Sequence, residues 1–333
     1  MKKFIGKVAL VTGATGLIGS NLVKKLLDEG SKVIALGRNR EKIIDVFEDQ
    51  FSNINFSYKI GNISDGIPAS INYVDYIFHA ASSISGSEIK SKPVNVIEAN
   101  IVGTQKCLEF LKYQKDTGKG SGKMIIFSSA TVYGSKSTQS YSVSENETEL
   151  TDALDCESVP YSESKRMVEV LANSYRVQYD VESVIARIGY VYGYTKNKPN
   201  TAFYEFIDRA VNGKDIIVNN STAARRDNIF IDDVVNGLIA IAAMGISGEA
   251  YNISSDGEKD NFKAIDEIAH IIVRTMNEMR PDKPISIFVK ESENKRPCSV
   301  MLNNNKLKGL GWLLETSLQD GIRNTLEKYM KME

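Results

Sequence analysis

The sequence predicts an α/β fold, a doubly wound parallel sheet followed by a smaller C-terminal α/β lobe. Three observations predict it. Short apolar runs (VALV at 8–11, KVIAL at 32–36, YIF at 76–78, MIIF at 124–127) alternate with longer amphipathic stretches through the first half of the chain. The runs are apolar nearly throughout, as strands covered on both faces must be. A glycine-rich turn, Gly13-Ala14-Thr15-Gly16-Leu17-Ile18-Gly19, joins the first run to the first amphipathic stretch, which makes a strand–loop–helix unit of the Rossmann type.

Taken in order, residues 7–11 form a strand, 17–29 a helix and 32–36 a strand. Residues 40–50 make a weaker helix, 55–60 and 73–79 strands, 94–113 a long helix and 123–128 a strand. Residues 135–159 are rich in Ser, Thr, Glu and Asp and poor in large apolar side chains. They form a long exposed connection, either a tolerated surface insertion or a gate over the site. Helical spacing returns at 161–179 and strand character at 182–187. From about Tyr190 the rhythm changes: 203–212, 231–244 and 260–279 are helical, with short strands near 216–218, 250–253 and 285–289. The expected division is residues 1–188 for the dinucleotide-binding sheet and 189–333 for the second lobe, with some chain crossing back to the first sheet.

The bulk numbers exclude several classes. The 333 residues exceed a typical single core, which holds roughly 100–200 residues. Hydrophobic content of 42% and charged content of 25% suit a globular protein with a substantial core. The net charge of −1 gives no field for nucleic acid or an anionic membrane, so an anionic ligand must be held by local groups. Cys107, Cys156 and Cys298 are far apart and form no CxxC pair. They suit reduced thiols in a cytoplasmic protein better than disulfides or a zinc site. His79 and His270 are too few for a histidine metal site or triad, and no metal is expected. His79 is expected to be packed at a strand end, His270 to be structural in its helix, and Trp312 to pack after a Gly311 turn. No apolar stretch approaches the ~20 residues that span a bilayer. The basic start leads into a run broken by Gly13 and Gly16, unlike a leader peptide.

The glycine loop predicts a bound dinucleotide. Gly13 permits the turn out of the strand, Gly16 lets phosphate oxygens approach without a Cβ in the way, and Gly19 lets the helix pack closely. The helix N-terminus offers free N–H groups to a pyrophosphate. Thr15, Leu17 and Ile18 complete the loop around it. At the end of the second strand, Leu36-Gly37-Arg38-Asn39-Arg40 has no carboxylate for a ribose 2′-OH. A small residue followed by Arg38 leaves room and positive charge for a 2′-phosphate, favouring NADP over NAD. Alternatively, Arg38 and Arg40 are solvated charges that open a helix.

Tyr161 and Lys165 lie four residues apart, on one face of a helix. A free tyrosine, with a pKa of about 10, is a poor base at neutral pH. A nearby ammonium and a positive nicotinamide ring stabilise the phenolate and lower that value. Ser129 ends a strand at the carboxyl edge of the sheet, where ligands bind, and its hydroxyl can hold a reacting oxygen. By itself the Tyr-x-x-x-Lys spacing fits a surface tyrosine beside an exposed lysine. With the glycine loop and the serine strand, it predicts redox chemistry at a carbon bearing a hydroxyl or carbonyl.

These residues together resemble the extended short-chain dehydrogenase/reductase family, in its nucleotide-sugar epimerase/dehydratase branch, over nearly the whole chain. Thr12 to Gly19 is similar to the family's cofactor loop. Gly61-Asn62-Ile63 stands where the family usually has Gly-Asp-hydrophobic against the adenine. His79-Ala80-Ala81-Ser82 resembles the segment lining the cofactor, and Asn100 with Gly103-Thr104 the structural Asn on the long helix. Ser128 to Gly134 and Tyr161 to Lys165 are similar to the active site. Arg187 to Gly193 resembles R-x-x-N-V-Y-G, with Tyr190 in place of an Asn that usually contacts the substrate diphosphate. Arg225 to Val234 resembles R-D-F-x-x-V-x-D-V, and Arg296-Pro297 with Lys306 to Trp312 a C-terminal R-P-…-K-x-x-x-L-G-W pattern.

The resemblance implies cofactor contacts at Asn62, Ile63, Ala80, Ala81, Ser82, Asn100, Tyr161, Lys165 and Ile188, besides the glycine loop and Arg38. It implies Ser129, Tyr161, Lys165 and Asn100 as catalytic residues. Substrate contacts fall to Ser83, Ser129, Thr131, Tyr190, Arg226 and Arg296, the two arginines gripping phosphate oxygens of a nucleotide sugar. It also implies a homodimer built on helices 94–113 and 161–179. The family's 4,6-dehydratases carry Asp-Glu directly after the catalytic Ser/Thr, where this chain has Ala130 and Thr131. A 4-epimerase acting through a transient 4-keto sugar is therefore favoured. The alternatives are an NADPH-dependent 4-keto-sugar reductase and, more remotely, a non-catalytic NAD(P)-sensing protein.

Overall fold

The computed structural model describes residues 4–82, 86–134, 141–147, 157–221, 224–291 and 300–331. The chain opens with β1 (Val8–Thr12), α1 (Leu17–Asp28), β2 (Lys32–Gly37), α2 (Arg40–Val46), β3 (Phe56–Ile60) and β4 (Tyr76–His79). Next come α3 (Gly86–Ser91), α4 (Pro93–Asp116), β5 (Lys123–Ser129), β6 (Tyr141–Val143), α5 (Val159–Tyr179), β7 (Glu182–Ile188) and β8 (Tyr190–Tyr192). Then follow α6 (Ala202–Val211), β9 (Ile216–Ser221), β10 (Arg225–Phe230), α7 (Ile231–Met244), β11 (Ala250–Ile253) and β12 (Phe262–Ala264). The chain closes with α8 (Ile265–Met279), β13 (Ile287–Glu291), β14 (Val300–Leu302), α9 (Asn305–Lys308) and α10 (Leu318–Met330).

Seven strands form one sheet in the order β11-β7-β5-β4-β1-β2-β3, and every pairing is parallel. From β1 the sheet grows through β2 and β3; from β4 it grows the other way through β5 and β7. The reversal between β1 and β4 opens a crevice at their carboxyl ends, the place where such sheets take ligands. Both faces are covered. Leu10, Ile77, Met124 and Ile126 pack with Leu108, Leu111 and Val168 of α4 and α5. Ala9, Val11, Phe78, Ile125 and Phe127 face the opposite core. That core continues without a break into Ile229, Val234, Leu238 and Trp312 of the second half, so the lobe and the sheet share it. The ten buried residues of α7 leave it apolar nearly all round, as a helix between two layers must be.

Several expectations are corrected. The helix at 40–50 ends at Val46, because Phe47 turns into the core and a 3-10 turn, Glu48–Gln50, follows. The stretch 260–279 is not one helix. Phe262–Ala264 pairs antiparallel with β10, and the Glu267 side chain then accepts the Ala264 N–H and starts α8 at Ile265. The connection at 135–159 is not wholly an exposed loop: Tyr141–Val143 pairs with β14, and Val143 is fully buried. The remaining two stretches of that connection, 135–140 and 148–156, lie outside the described residues. His270 is exposed on α8 rather than packed. No helix among the described residues is long and apolar enough to cross a membrane.

Candidate active site

The glycine loop leaves β1 at the crevice. Gly13 has φ +62, and a Cβ there would lie 2.7 Å from the Ala81 backbone. A Cβ on Gly19 would lie 2.4 Å from the Gly13 carbonyl oxygen. The protein's own packing therefore requires both glycines. Gly16 differs: its nearest neighbour would be the Gly13 oxygen at 3.4 Å, an ordinary contact. Nothing among the described residues demands that Gly16 lack a side chain, and the bare backbone leaves room for a ligand to approach. Gly16 is also the N-cap of α1, where no side chain caps the helix and no acid occupies the first turn. Open N–H groups and an uncompensated dipole suit a pyrophosphate. Thr15 and Ile18 are partly exposed, and Leu17 is buried beneath them.

The second-strand end matches this reading. Gly37 sits beside the Thr15 methyl, Arg38 is exposed, and Asn39 caps α2 by accepting the Lys42 N–H at 3.0 Å. Asn62 is exposed and accepts the Ser64 N–H at 3.4 Å, while Ile63 is buried under it. A segment of the second half lies against the same loop. Asn21 donates to the Tyr194 carbonyl at 3.1 Å, and Lys196 to the Asp45 carbonyl at 2.6 Å.

Ala80, Ala81 and Ser82 follow β4 along the crevice wall and are partly exposed. The Ser82 hydroxyl donates to Asn100 Oδ1 at 2.7 Å. Asn100, almost fully buried, donates from Nδ2 to Ser164 Oγ at 2.8 Å. Ser164 in turn donates to the Tyr161 carbonyl at 2.8 Å. Asn100 thus ties the cofactor wall to the helical turn that carries Tyr161. Gly103 lets α4 approach His79 and Ile63. His79 is buried against Thr12 at 2.8 Å; burial and the Lys165 charge lower its pKa to about 3, so it stays neutral.

Ser129 closes β5 and caps the following 3-10 turn, Ala130–Tyr133. Its Oγ accepts from the Thr131 N–H at 3.2 Å and the Thr131 hydroxyl at 3.1 Å. Ile188 ends the neighbouring strand β7 in register with Ser129. The partly buried Tyr161 stands close enough to Ser129 for that hydroxyl to influence the ionisation of its phenol. Lys165 is 4% exposed, donates to the Phe127 carbonyl at 2.8 Å, and lies 5.7 Å from the Tyr161 ring centre. Burial lowers its pKa to about 7. The Tyr161 pKa is raised instead: burial pushes it up, Ser129 pulls it back in part, and Tyr190 adds to the rise. The expected lowering invoked Lys165 together with a positive nicotinamide ring; Lys165 without that ring does not lower the phenol. Burial disfavours both charged forms, and the ammonium is committed to a backbone carbonyl.

Beneath this face lies a polar network that the sequence reading passed over. Arg187, 8% exposed, grips Glu169 with two bonds of 3.0 and 2.7 Å. Its third nitrogen donates to the Tyr133 hydroxyl and the Glu145 carbonyl, both at 2.9 Å. The Ser128 hydroxyl donates to Glu169 at 2.5 Å, and Tyr133 donates to Asn252 at 2.7 Å. Burial opposes the Arg187 charge, but Glu169 and Tyr133 more than reverse this and raise its pKa. The available signal was an arginine inside the apolar run VIARI, which folding must bury and therefore pair.

At the crevice mouth, Tyr190 and Arg226 come together from β8 and β10, and Thr131 is partly exposed nearby. Asp227 is buried and anchors the mouth by accepting from Ser255 and from the N–H groups of Asp256 at 3.2 Å and Leu302 at 2.9 Å. Asp233 accepts the N–H groups of Glu315 and Thr316, and its carbonyl takes the Trp312 indole N–H at 3.0 Å, so Trp312 is packed as expected. Ser83 and Arg296 lie outside the described residues. Among the described residues no group of His, Cys, Asp and Glu could hold a metal ion.

A family model described as NAD dependent epimerase/dehydratase family matches residues 9–254. The chain is 26% identical to a dTDP-D-glucose 4,6-dehydratase of Dictyostelium discoideum, over 98% of its own length and 82% of that protein. It is 27% identical to UDP-glucuronic acid decarboxylase 6 of Arabidopsis thaliana, over 94% of its length and 86% of the relative. Among solved structures, UDP-glucose 4-epimerase from Thermotoga maritima with UDP-glucose matches with a TM-score of 0.78 at 22% identity, covering 98% of this chain and 99% of that one. UDP-glucuronic acid 4-epimerase from Bacillus cereus, in complex with UDP-glucuronic acid and NAD, matches with a TM-score of 0.77 at 24% identity, covering 98% and 99%. At these identities the structural matches establish the fold.

Proposed function

The chain belongs to the NAD dependent epimerase/dehydratase family, enzymes of the extended short-chain dehydrogenase/reductase branch, and from that premise we propose that it is a nucleotide-sugar 4-epimerase. The observation that carries this choice is the turn after β5. Ser129, Tyr161 and Lys165 converge there, yet the next two residues are Ala130 and Thr131. Eliminating water across two carbons needs an acid and a base beside the reacting sugar. Neither side chain can serve, and Thr131 spends its hydroxyl on Ser129.

The residues at hand can move one proton. Ser129 holds the sugar 4-oxygen, and Tyr161 takes its proton as the carbonyl forms. Tyr161 then returns that proton to the same oxygen after the keto sugar has turned over in the crevice. The bound dinucleotide supplies the hydride acceptor and donor at sugar C4 and a positive ring beside the phenol. Lys165 lies 5.7 Å from the Tyr161 ring centre, and burial lowers its pKa to about 7. Gly16 and the open N-terminus of α1 hold the pyrophosphate, and Arg38 beside Gly37 supports a preference for NADP. Tighter binding of NADP than NAD, with the order reversed in Arg38→Asp, is the test of that preference. Exposed apolar side chains on α4 and α5, among them Val94, Tyr113, Val170 and Val177, support a homodimer, which sedimentation checks.

The deciding experiment incubates the protein with UDP-, dTDP-, GDP- and CDP-sugars. An epimerase converts one of them to its C4 epimer with no net change in nicotinamide absorbance. Stoichiometric NADPH consumption by a 4-keto sugar would establish a reductase instead, the second reading that Arg38 favours. A parent that binds the dinucleotide yet converts none of these sugars, and that binds it no differently from Tyr161→Phe, would return the protein to the non-catalytic class.

A further inference from the structure

Two adjacent arginines at the start of β10 have different fates. Arg225 donates to the Glu267 carboxylate at 3.0 Å. Arg226 makes no hydrogen bond or ion pair from its guanidinium among the described residues; its Cζ instead lies 4.9 Å from the centre of the Tyr190 ring. The register brings them together: β8 runs parallel to β10 with Tyr190 opposite Asn228, two residues past Arg226. Tyr190 is 45% exposed and stands close enough to Tyr161 to influence its ionisation. The stack therefore sits at the rim of the catalytic crevice.

A guanidinium lying on an aromatic face is held flat, while its in-plane N–H groups stay free. Those donors match the oxygens of a diphosphate. An unstacked arginine on a strand edge must surrender its rotamer freedom when it binds; a stacked one has surrendered part of it already. Asp227, the next residue, fixes the backbone at this point through its buried carboxylate.

We propose that Tyr190 is a positioning residue whose ring face holds Arg226 as the phosphate-reading fork of a nucleoside diphosphate site. The inference rests on the nucleotide-sugar reading given above and deepens it.

Calorimetry with UDP, dTDP, GDP and CDP in turn identifies the tightest ligand of the parent protein, and that nucleotide is the probe. Tyr190→Ala binds it about fivefold more weakly. Tyr190→Phe keeps parental affinity, because the ring face remains. Arg226→Ala loses more, and Tyr190→Ala combined with Arg226→Ala loses no more than Arg226→Ala alone, since the ring acts only through the arginine. Dinucleotide binding is unchanged in all four variants, which also reports that they fold. Additive losses, or a loss in Tyr190→Phe equal to that in Tyr190→Ala, overturn the inference. A parent that binds while Tyr190→Ala binds equally well overturns it alone. A parent that binds none of the four nucleotides overturns the nucleotide-sugar reading and this inference with it.

Discussion

Lys165 and Glu169 stand one turn apart on the same inward face of α5, and the fold treats their charges in opposite ways. Glu169 meets a bidentate arginine and a serine hydroxyl, so its charge is fully compensated. Lys165 meets one backbone carbonyl and no carboxylate. Lys165 is buried as well, and burial lowers its pKa to about 7. A compensated buried charge locks a scaffold, because removing either partner strands the other. An uncompensated one stays poised to change state, which is what a site for proton transfer needs. On the proposed reading, one helix carries the scaffold and the chemistry on successive turns.

The largest expected effect separates the two roles through activity. Lys165→Met should cut turnover by roughly 10²–10⁴-fold, the usual worth of a positioned acid–base group, while the urea midpoint stays at or above that of the parent. A variant that lost stability along with activity would make Lys165 a structural residue like its neighbour. Next, Glu169→Ala should lose about 3–5 kcal/mol of folding free energy by leaving Arg187 buried and unpaired. Denaturant unfolding measures it, and an unchanged midpoint would refute the idea that this pair holds β5, β7 and α5 together.

The third test is in the pH dependence. The folded Lys165 releases its proton near pH 7, whereas the unfolded chain keeps it up to the ordinary 10.5. Between those values the unfolded state binds more protons, so the contribution of Lys165 makes stability rise with pH across that window. Below about 7 the burial penalty is present in full, and above 10.5 it is gone. Parent minus Lys165→Met stability, measured point by point, should therefore climb from neutral to alkaline pH. Parallel curves would show that the lysine is not penalised in the folded state.

Legibility followed the source of each element's stability. Runs such as VALV and MIIF announce strands because they are apolar on both faces, and β1, β2, β5 and β11 lie within one residue of their expected positions. α7 matches its expected span because an uninterrupted apolar helix needs no partner to be recognised. The three-residue strands β6, β8, β12 and β14 went unread. Each is held by a partner supplied by another part of the chain, such as β14 for β6, and is too short for its own residues, even Tyr-Val-Tyr of β8, to mark it as a strand. The same division runs through the site. Gly13, Gly16, Gly19, Ser129, Tyr161 and Lys165 sit in short motifs with fixed spacing. Glu169, Arg187, Tyr133 and Asn252 are single residues scattered over more than a hundred positions.

By itself the sequence determined the alternating sheet, the glycine turn between β1 and α1, and the placing of Tyr161 and Lys165 on one helix face, because these depend on residue type and local spacing alone. Only the tertiary structure decided which charges would be neutralised and which left unpaired, that Arg226 would lie on Tyr190, and that burial would raise the pKa of the Tyr161 phenol. Those outcomes turn on burial and on partners brought together across the chain, and solvent exclusion is a property of the packed molecule rather than of any one stretch of it.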